Sequence, residues 1–532
     1  MSVKRTIIDY CNNHKIRLFI IIIMLILVTI LSLIPAQILR IITDEGINEK
    51  KIQILLLYSI FYSIIYLVIG ITTFIKDIIM LSASQDITYD LRCNMMKHIH
   101  HMNYNSLVNT DSGTLESYFN NDVNSINELF TKGIVNIFTD LFKMIGIVIT
   151  IFIYSWIFGF IVLGILPILV LFTSFVRKRM MKSQLKTKML EGNVNKVLLE
   201  NIENIEQIKI DKIEEYSKEK YSLILDGHFK AAQASNFYDA IFSPIMMIIK
   251  NLVVVSIIII SGFNHNIFGM SIGMIISAIS LITDLFTPIE ALGMEIQTIQ
   301  KSLASVKRIN EFFKIPIDNK KNIDNIDNIN ITLNNVSFSY SDKIVIDNFN
   351  LRINEGDKIV FHGPSGAGKS TLMKLLMGIV KPTHGNVLIG ESDAYDLSDN
   401  VKANLFSIVY QDPFFSDGSI YDEISLKNKN ISRKMVRDAL NKVGLDYIKD
   451  IDIPLISNNY SSGELALFNI ARVIVRNSKI LFLDEMNSKI DPVTAKHIIE
   501  LINEIAKDKT VISINHYGSI LDNARIINVN KS

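Results

Sequence analysis

Long uncharged stretches recur through the first part of the chain and are missing from the rest. A helix needs about 20 apolar residues to cross a hydrocarbon core of ~30 Å at 1.5 Å per residue. Residues 18–39 carry no charge between Arg17 and Arg40, and residues 52–75 carry none between Lys51 and Lys76; these predict the first two spans. Residues 144–176 are 33 uncharged positions, too many for one span and slightly few for two. They predict a tight hairpin near Tyr154 to Phe158, with the third span reaching back to Gly133 and the fourth ending before Arg177. Residues 242–261, interrupted only by Lys250, and 268–286, interrupted only by Asp284, predict the fifth and sixth.

An even number of spans puts both termini on one side. Lys4, Arg5, Lys15 and Arg17 before the first span, and Arg177, Lys178 and Arg179 after the fourth, mark that side as cytoplasmic. Two cytoplasmic loops of around 60 residues, 76–132 and 177–240, have helical periodicity, so spans two to five should continue as helices beyond the membrane. The first span has 22 uncharged residues, more than the apolar region of a signal peptide.

After the sixth span the pattern changes. Residues 314–330 are rich in Asn, Asp and Lys, with Pro316 at their start, and predict a linker between a transmembrane domain at 1–313 and a domain at 331–532. In that domain short β-rich runs such as 358–361 and 480–483 alternate with helical stretches, the pattern of an α/β fold. Composition agrees with a membrane protein: 49% of residues are hydrophobic and 20% charged. A net charge of +1 argues against a nucleic-acid binder, and Cys11 and Cys93 form neither a disulfide framework nor a zinc motif. The heavy use of Ile, Asn and Lys suggests an AT-rich bacterial genome.

The chemistry lies in the C-terminal domain. Gly363, Pro364, Ser365, Gly366, Ala367, Gly368, Lys369 and Ser370 fit GxxxxGK[ST], follow a strand-like run and open a helix beginning with Thr371. Backbone N–H groups at such a loop wrap a phosphate, Lys369 reaches the β and γ phosphates of ATP, and Ser370 ligates Mg²⁺. Residues 480–485 form a buried strand ending in Asp484 and Glu485, the first placed for the Mg²⁺ shell and the second for activating a water.

With Tyr460-Ser461-Ser462-Gly463-Glu464 between these motifs, the sequence resembles ATP-binding cassette (ABC) transporters over nearly its whole length. The resemblance implies a six-helix membrane domain like that of type I exporters, followed by an α/β P-loop NTPase domain. It assigns the Mg²⁺- and water-contacting glutamine to Gln411, the adenine-stacking aromatic to Tyr340, the short Asp loop to Asp491 and the γ-phosphate histidine to His516. Asp111, Gly113 and Asp122 match recurrent positions of the exporters' first inner loop, and the helix from Pro288 onward resembles their exit from the sixth span. Coupling contacts are expected from residues 109–115 and 207–215.

The signature peptide departs from the family pattern, which begins with Leu and has two glycines and a final Gln. Tyr460, Ser462 and Glu464 replace them, and Leu465, Ala466 and Leu467 stand where polar or basic residues are common. Ser461 and Gly463 keep the hydroxyl and the backbone approach to a phosphate. One P-loop and one signature per chain imply a half-transporter that pairs with a second copy, or with a different half-transporter, to clamp two ATP molecules.

The function expected is ATP-driven export of a peptide, lipid or other amphipath across the cytoplasmic membrane. An ATP-gated channel or membrane-embedded sensor is the alternative. With the first span starting at Leu18, no peptidase domain is expected ahead of it, so substrates already matured would suit the chain. Lys143 and Lys250 fall ~15 Å from the outer ends of their spans, and charges there cost at least ~2.5 kcal/mol facing lipid. Both are expected to face an interior cavity or a partner, with Asp140 as the mate of Lys143 and Asp284 that of Lys250.

Overall fold

The computed structural model describes residues 2–263, 271–340, 343–484, 492–514, 521 and 523–530. It divides into two units, Met1–His100 with Asp111–Ile315 and His101–Thr110 with Pro316–Ser532.

In the first unit, six helices among the described residues are long and apolar enough to cross a membrane. A short helix α1 (Val3–Asn13) precedes α2 (Lys15–Ile41), which continues through a wide-turn segment, Ile42–Asn48. Then come α3 (Ile52–His101), α4 (Tyr104–Asn109), α5 (Ser112–Ser117), α6 (Val123–Glu128), α7 (Val135–Tyr154), α8 (Trp156–Glu203), α9 (Ile205–Ile210), α10 (Glu214–Phe263) and α11 (Ile272–Phe312). The expected hairpin is a single extended residue, Ser155, between α7 and α8. Helices α3 and α10 have 50 residues each, ~75 Å at 1.5 Å per residue, so each runs far beyond a 30 Å core.

Ile147, Ile151, Phe158, Ala278, Leu281 and Phe286 pack the centre of this unit. Beside them the Tyr154 hydroxyl reaches Gln37 Oε1 at 2.7 Å and Ser277 Oγ at 2.9 Å, satisfying polar groups that lipid could not. At the far end of α11, Asp122 is 1% exposed and accepts from Ser305 Oγ at 2.8 Å and from Arg308 Nε at 3.0 Å.

The second unit holds two sheets. Strands β1 (Ile331–Tyr340), β2 (Lys343–Ile353), β4 (His384–Ile389) and β5 (Ser392–Asp393) form an antiparallel sheet in the order β2-β1-β4-β5. Strands β3 (Lys358–His362), β6 (Phe406–Val409), β7 (Ile480–Asp484), β8 (Thr510–Ile514) and β9 (Arg525–Asn528) form a parallel one in the order β6-β7-β8-β3-β9. Helices α12 (Lys369–Leu376), α13 (Asp399–Leu405), α14 (Ile420–Ser425), α15 (Arg433–Lys442), α16 (Ser462–Arg476) and α17 (Pro492–Ile505) complete it. The near-continuous apolar runs of β7 and β8 are those of parallel strands covered on both faces.

From Pro316 the expected linker lies along this unit. Asn103 N donates to Pro316 O at 3.0 Å, Asp318 N to His101 O at 2.8 Å and Ile323 N to Asp396 O at 2.9 Å. The same bonds hold His101–Thr110, including α4, in the second unit.

Candidate functional site

The parallel sheet gathers the motifs at one edge. Phe361 on β3 and Asp484 on β7 are both in register with Ile514 on β8, so they stand level, two strand spacings or ~9.6 Å apart. β6 adjoins β7 with Val409 opposite Leu483, which brings Gln411, two residues past the strand, to the same edge. The carboxyl ends of parallel strands are where α/β sheets of this kind bind ligands.

Leaving β3, the loop turns through Gly366 at φ +78° and Gly368 at φ +95°, conformations that favour glycine. A Cβ on Gly368 would also stand 2.6 Å from Ile346 Cδ1. Lys369 begins α12, is 5% exposed, and spans the loop by donating to Gly363 O at 2.8 Å and Pro364 O at 3.0 Å. Ala367 and Thr371 are buried while Pro364, Ser365, Gly366 and Ser370 are exposed, so the loop's outer face is open to a ligand. Tyr340, half-buried at the end of β1, stacks edge-on with Phe338 at 4.9 Å.

Helix α12 also meets α4. Lys374 Nζ stands 5.0 Å from the Tyr104 ring centroid. Burial alone would lower the Lys374 ammonium, but the attraction of Tyr104, Tyr340 and Asp484 outweighs it and holds the group above its usual range. Burial and the Asp484 carboxylate raise the neighbouring Tyr410 hydroxyl. Tyr104, Lys374, Tyr410 and Asp484 are therefore one electrostatic cluster beside the P-loop helix. Sequence reasoning missed Tyr104, Lys374 and Tyr410, and nothing in their local sequence marks them.

The signature peptide opens α16. Ser461 is its N-cap: Glu464 N donates to Ser461 Oγ at 3.2 Å, and Ser461 N and Oγ each donate to Glu464 Oε2 at 2.8 Å. The Tyr447 hydroxyl donates to the other carboxylate oxygen. That bond, with those from Ser461, holds Glu464 below the usual carboxylate range. Gly463 is buried and Ser462 exposed. Tyr460 packs edge-on against Phe468 at 5.0 Å, while Ala466 and Leu467 are buried in the core beneath the helix. Packing thus accounts for the apolar departures from the family pattern. The Ser-x-x-Glu spacing was a readable capping signal that the sequence reading passed over.

Glu485, Asp491 and His516 lie outside the described residues. In the first unit Lys143, Lys250 and Asp284 are each half-buried. The two expected ion pairs are not formed within 4.0 Å among the described residues. Asp140 lies within electrostatic reach of both Lys143 and Lys76, which divides its attraction, and Lys76 itself pairs with Asp77 at 3.0 Å. Asp284 has Tyr66 of α3 within electrostatic reach.

Comparison with known proteins agrees with this architecture. Residues 18–289 match the family model of the ABC transporter transmembrane region, and residues 346–488 match the ABC transporter family model. An ABC transporter ATP-binding protein of Streptococcus pneumoniae serotype 4 is 25% identical, covering 99% of this chain and 92% of its own length. An ATP-dependent lipid A-core flippase of Desulfotalea psychrophila is 26% identical over 97% of this chain and 93% of the relative. Among solved structures, a bacterial Atm1-family ABC exporter with ATP bound has the same fold, with a TM-score of 0.78, 21% identity and coverage of 97% and 93% of the two chains.

Proposed function

Because this chain belongs to the ABC transporter family, with transmembrane and ATP-binding regions on one polypeptide, we propose that it is half of a dimeric exporter that moves an amphipathic substrate out of the cytoplasm. Its class is an ATP hydrolase coupled to membrane transport, multi-pass in the membrane. The observation that carries the finer reading is the level register of Phe361 and Asp484 across Ile514, which sets the P-loop and the acidic strand end side by side. Both termini are assigned to the cytoplasm by the basic residues around spans one and four.

In this reading Tyr340 stacks on adenine, the backbone N–H groups of residues 363–368 wrap the phosphates, and Thr371 follows at the helix start. Lys369 gives up its bonds to Gly363 O and Pro364 O and turns to the β and γ phosphates. Ser370, Gln411 and Asp484 offer the hard oxygen donors that suit Mg²⁺, Ser370 in the first turn of α12, Gln411 two residues past β6 and Asp484 at the end of β7. When bound, the ion would neutralise charge that develops on the nucleotide's phosphates. Glu485 takes a proton from the attacking water, His516 contacts the γ phosphate, and Asp491 is assigned as the Asp-loop residue.

The partner is a second half-transporter, either an identical copy or a related chain. Helix α12 packs in one apolar core of the unit and α16 in another, which supports a clamp in which the P-loop of one copy meets Ser461, Ser462 and Gly463 of the next. The tip between α8 and α10 fits the same assembly. It leaves Leu199, Ile202, Ile205 and Ile210 at 48% exposure or more, ~39 Å along α8 from Arg177, an apolar surface that needs a cover.

The relatives include flippases of lipid A-core, and a lipid or another amphipath is the class assigned to this chain. Reconstituted in inside-out vesicles, the protein should concentrate a fluorescent lipid or amphipathic peptide only with ATP, and Lys369→Ala should abolish it. ATP-independent equilibration, unchanged by Lys369→Ala, would point to a channel instead.

A further inference from the structure

A groove of about 740 Å³ runs between α8 and α10, starting where the uncharged run of the fourth span ends. Arg179, Lys182 and Lys186 of α8 and Lys230 of α10 line it, over a floor of small residues that includes Gly227 and Ala231. Residues 177–188 contain six cations and no acid. Among the described residues, none of the four lining cations has a carboxylate within 4.0 Å.

The groove continues toward the tip as a second hollow of about 480 Å³ that shares Leu190 and Gly227 with the first. There Lys220 is paired to Glu200 at 3.3 Å, and Lys196 is the other lining cation. The half nearer the membrane therefore carries four cations and no acid, against two cations and one acid toward the tip. Arg179, Lys182 and Lys186 lie ~4.5, ~9 and ~15 Å along the helix from Val176, and a headgroup layer is ~5–7 Å deep. Side chains on a helix lean toward its N-terminus, which on α8 is toward the membrane, so Arg179 and Lys182 can reach back to headgroup phosphates while Lys186 and Lys230 stand deeper.

We infer that this groove binds the headgroup of a membrane lipid carrying at least two phosphate charges. Arg179 and Lys182 take the phosphates, and Lys186 and Lys230 add positive charge deeper in the groove. The site is separate from the ATP-binding residues and holds whether or not the transported compound is a lipid.

The test is binding of cardiolipin, phosphatidylcholine and pyrophosphate to the purified full chain, counted by native mass spectrometry. Three proteins are compared: wild type, the triple variant Lys182→Ala/Lys186→Ala/Lys230→Ala, and Gly227→Met. The last fills the groove while keeping every cation; a Cβ at 227 meets nothing within 4 Å, and glycine is the poorer helix former, so folding is not at risk. Wild type should bind cardiolipin and not phosphatidylcholine, and both variants should bind it at least tenfold more weakly. Raising salt from ~0.1 to ~1 M shortens screening from ~10 to ~3 Å and should weaken wild-type binding further. Equal cardiolipin binding in all three proteins would overturn the site. Displacement of cardiolipin by pyrophosphate at matched charge would overturn the lipid assignment in favour of a soluble anion. A dimer in wild type that Gly227→Met splits into monomers would overturn it in favour of a second copy covering the groove.

Discussion

Ser461 and Glu464 cap each other across the first turn of α16, and the carboxylate that closes the box stands where the family pattern has an uncharged glutamine. Gln serves the same box, so Glu464→Gln should fold normally. It removes a negative charge from the peptide assigned to meet the γ phosphate. A unit charge at ~6 Å in a water-like medium is worth ~0.7 kcal/mol, so the variant should hydrolyse ATP about threefold faster at sub-saturating ATP. Glu464→Ala should instead lose the cap, costing about 1 kcal/mol of stability. ATPase rates against ATP concentration, with thermal unfolding alongside, check both. Because the folded Glu464 titrates below its ordinary value, its stabilisation is full above ~pH 4.5 and fades as pH falls through the lowered value.

A second prediction concerns Asp122 and Arg308. The carboxylate is buried and the guanidinium is 54% exposed, so the two halves of the pair are not equivalent. Asp122→Ala releases an arginine that water can solvate, and should cost ~1–2 kcal/mol. Arg308→Ala leaves a buried carboxylate with Ser305, and should cost more, ~2–4 kcal/mol. Thermal unfolding of both variants in the same detergent should show the larger fall in Arg308→Ala; the reverse order would mean that the carboxylate is not the group needing the partner.

The six spans were readable because charge-free runs of about 20 residues have few other uses, and the turn at Ser155 because 33 such residues cannot be one helix. The P-loop and Asp484 were readable for a similar reason: phosphate chemistry fixes both residue type and order. What escaped were relationships across sequence distance. Tyr447 lies 17 residues before Glu464, and Tyr104 about 270 before Lys374. The expected pairing of Asp140 with Lys143 followed helical spacing alone and took no account of Lys76 arriving from α3. Arg177, Lys178 and Arg179 were read only as a topology signal, and the cations after them not at all, since a cation's counter-ions cannot be seen without the neighbouring helix.

The cluster of Tyr104 and Lys374 carries a third prediction. α4 follows the long helix α3 in the chain and touches the helix that begins with Lys369. Tyr104→Ala should leave basal ATPase within about twofold, because the P-loop is intact, and should remove its stimulation by a transported amphipath. Tyr104→Phe keeps the ring over the ammonium and loses the hydroxyl, and should retain part of the stimulation. Full stimulation in Tyr104→Ala would show that α4 does not transmit.

Whether this chain couples ATP hydrolysis to export is read from ATP turnover, ATP retention and substrate accumulation by Glu485→Gln in inside-out vesicles. A general base contributes about 100- to 10,000-fold, so turnover should fall at least ~100-fold while ATP stays bound and accumulation stops. Turnover and accumulation close to those of the unaltered protein would contradict the assignment of Glu485 and, with it, the account of how this chain uses ATP to drive export.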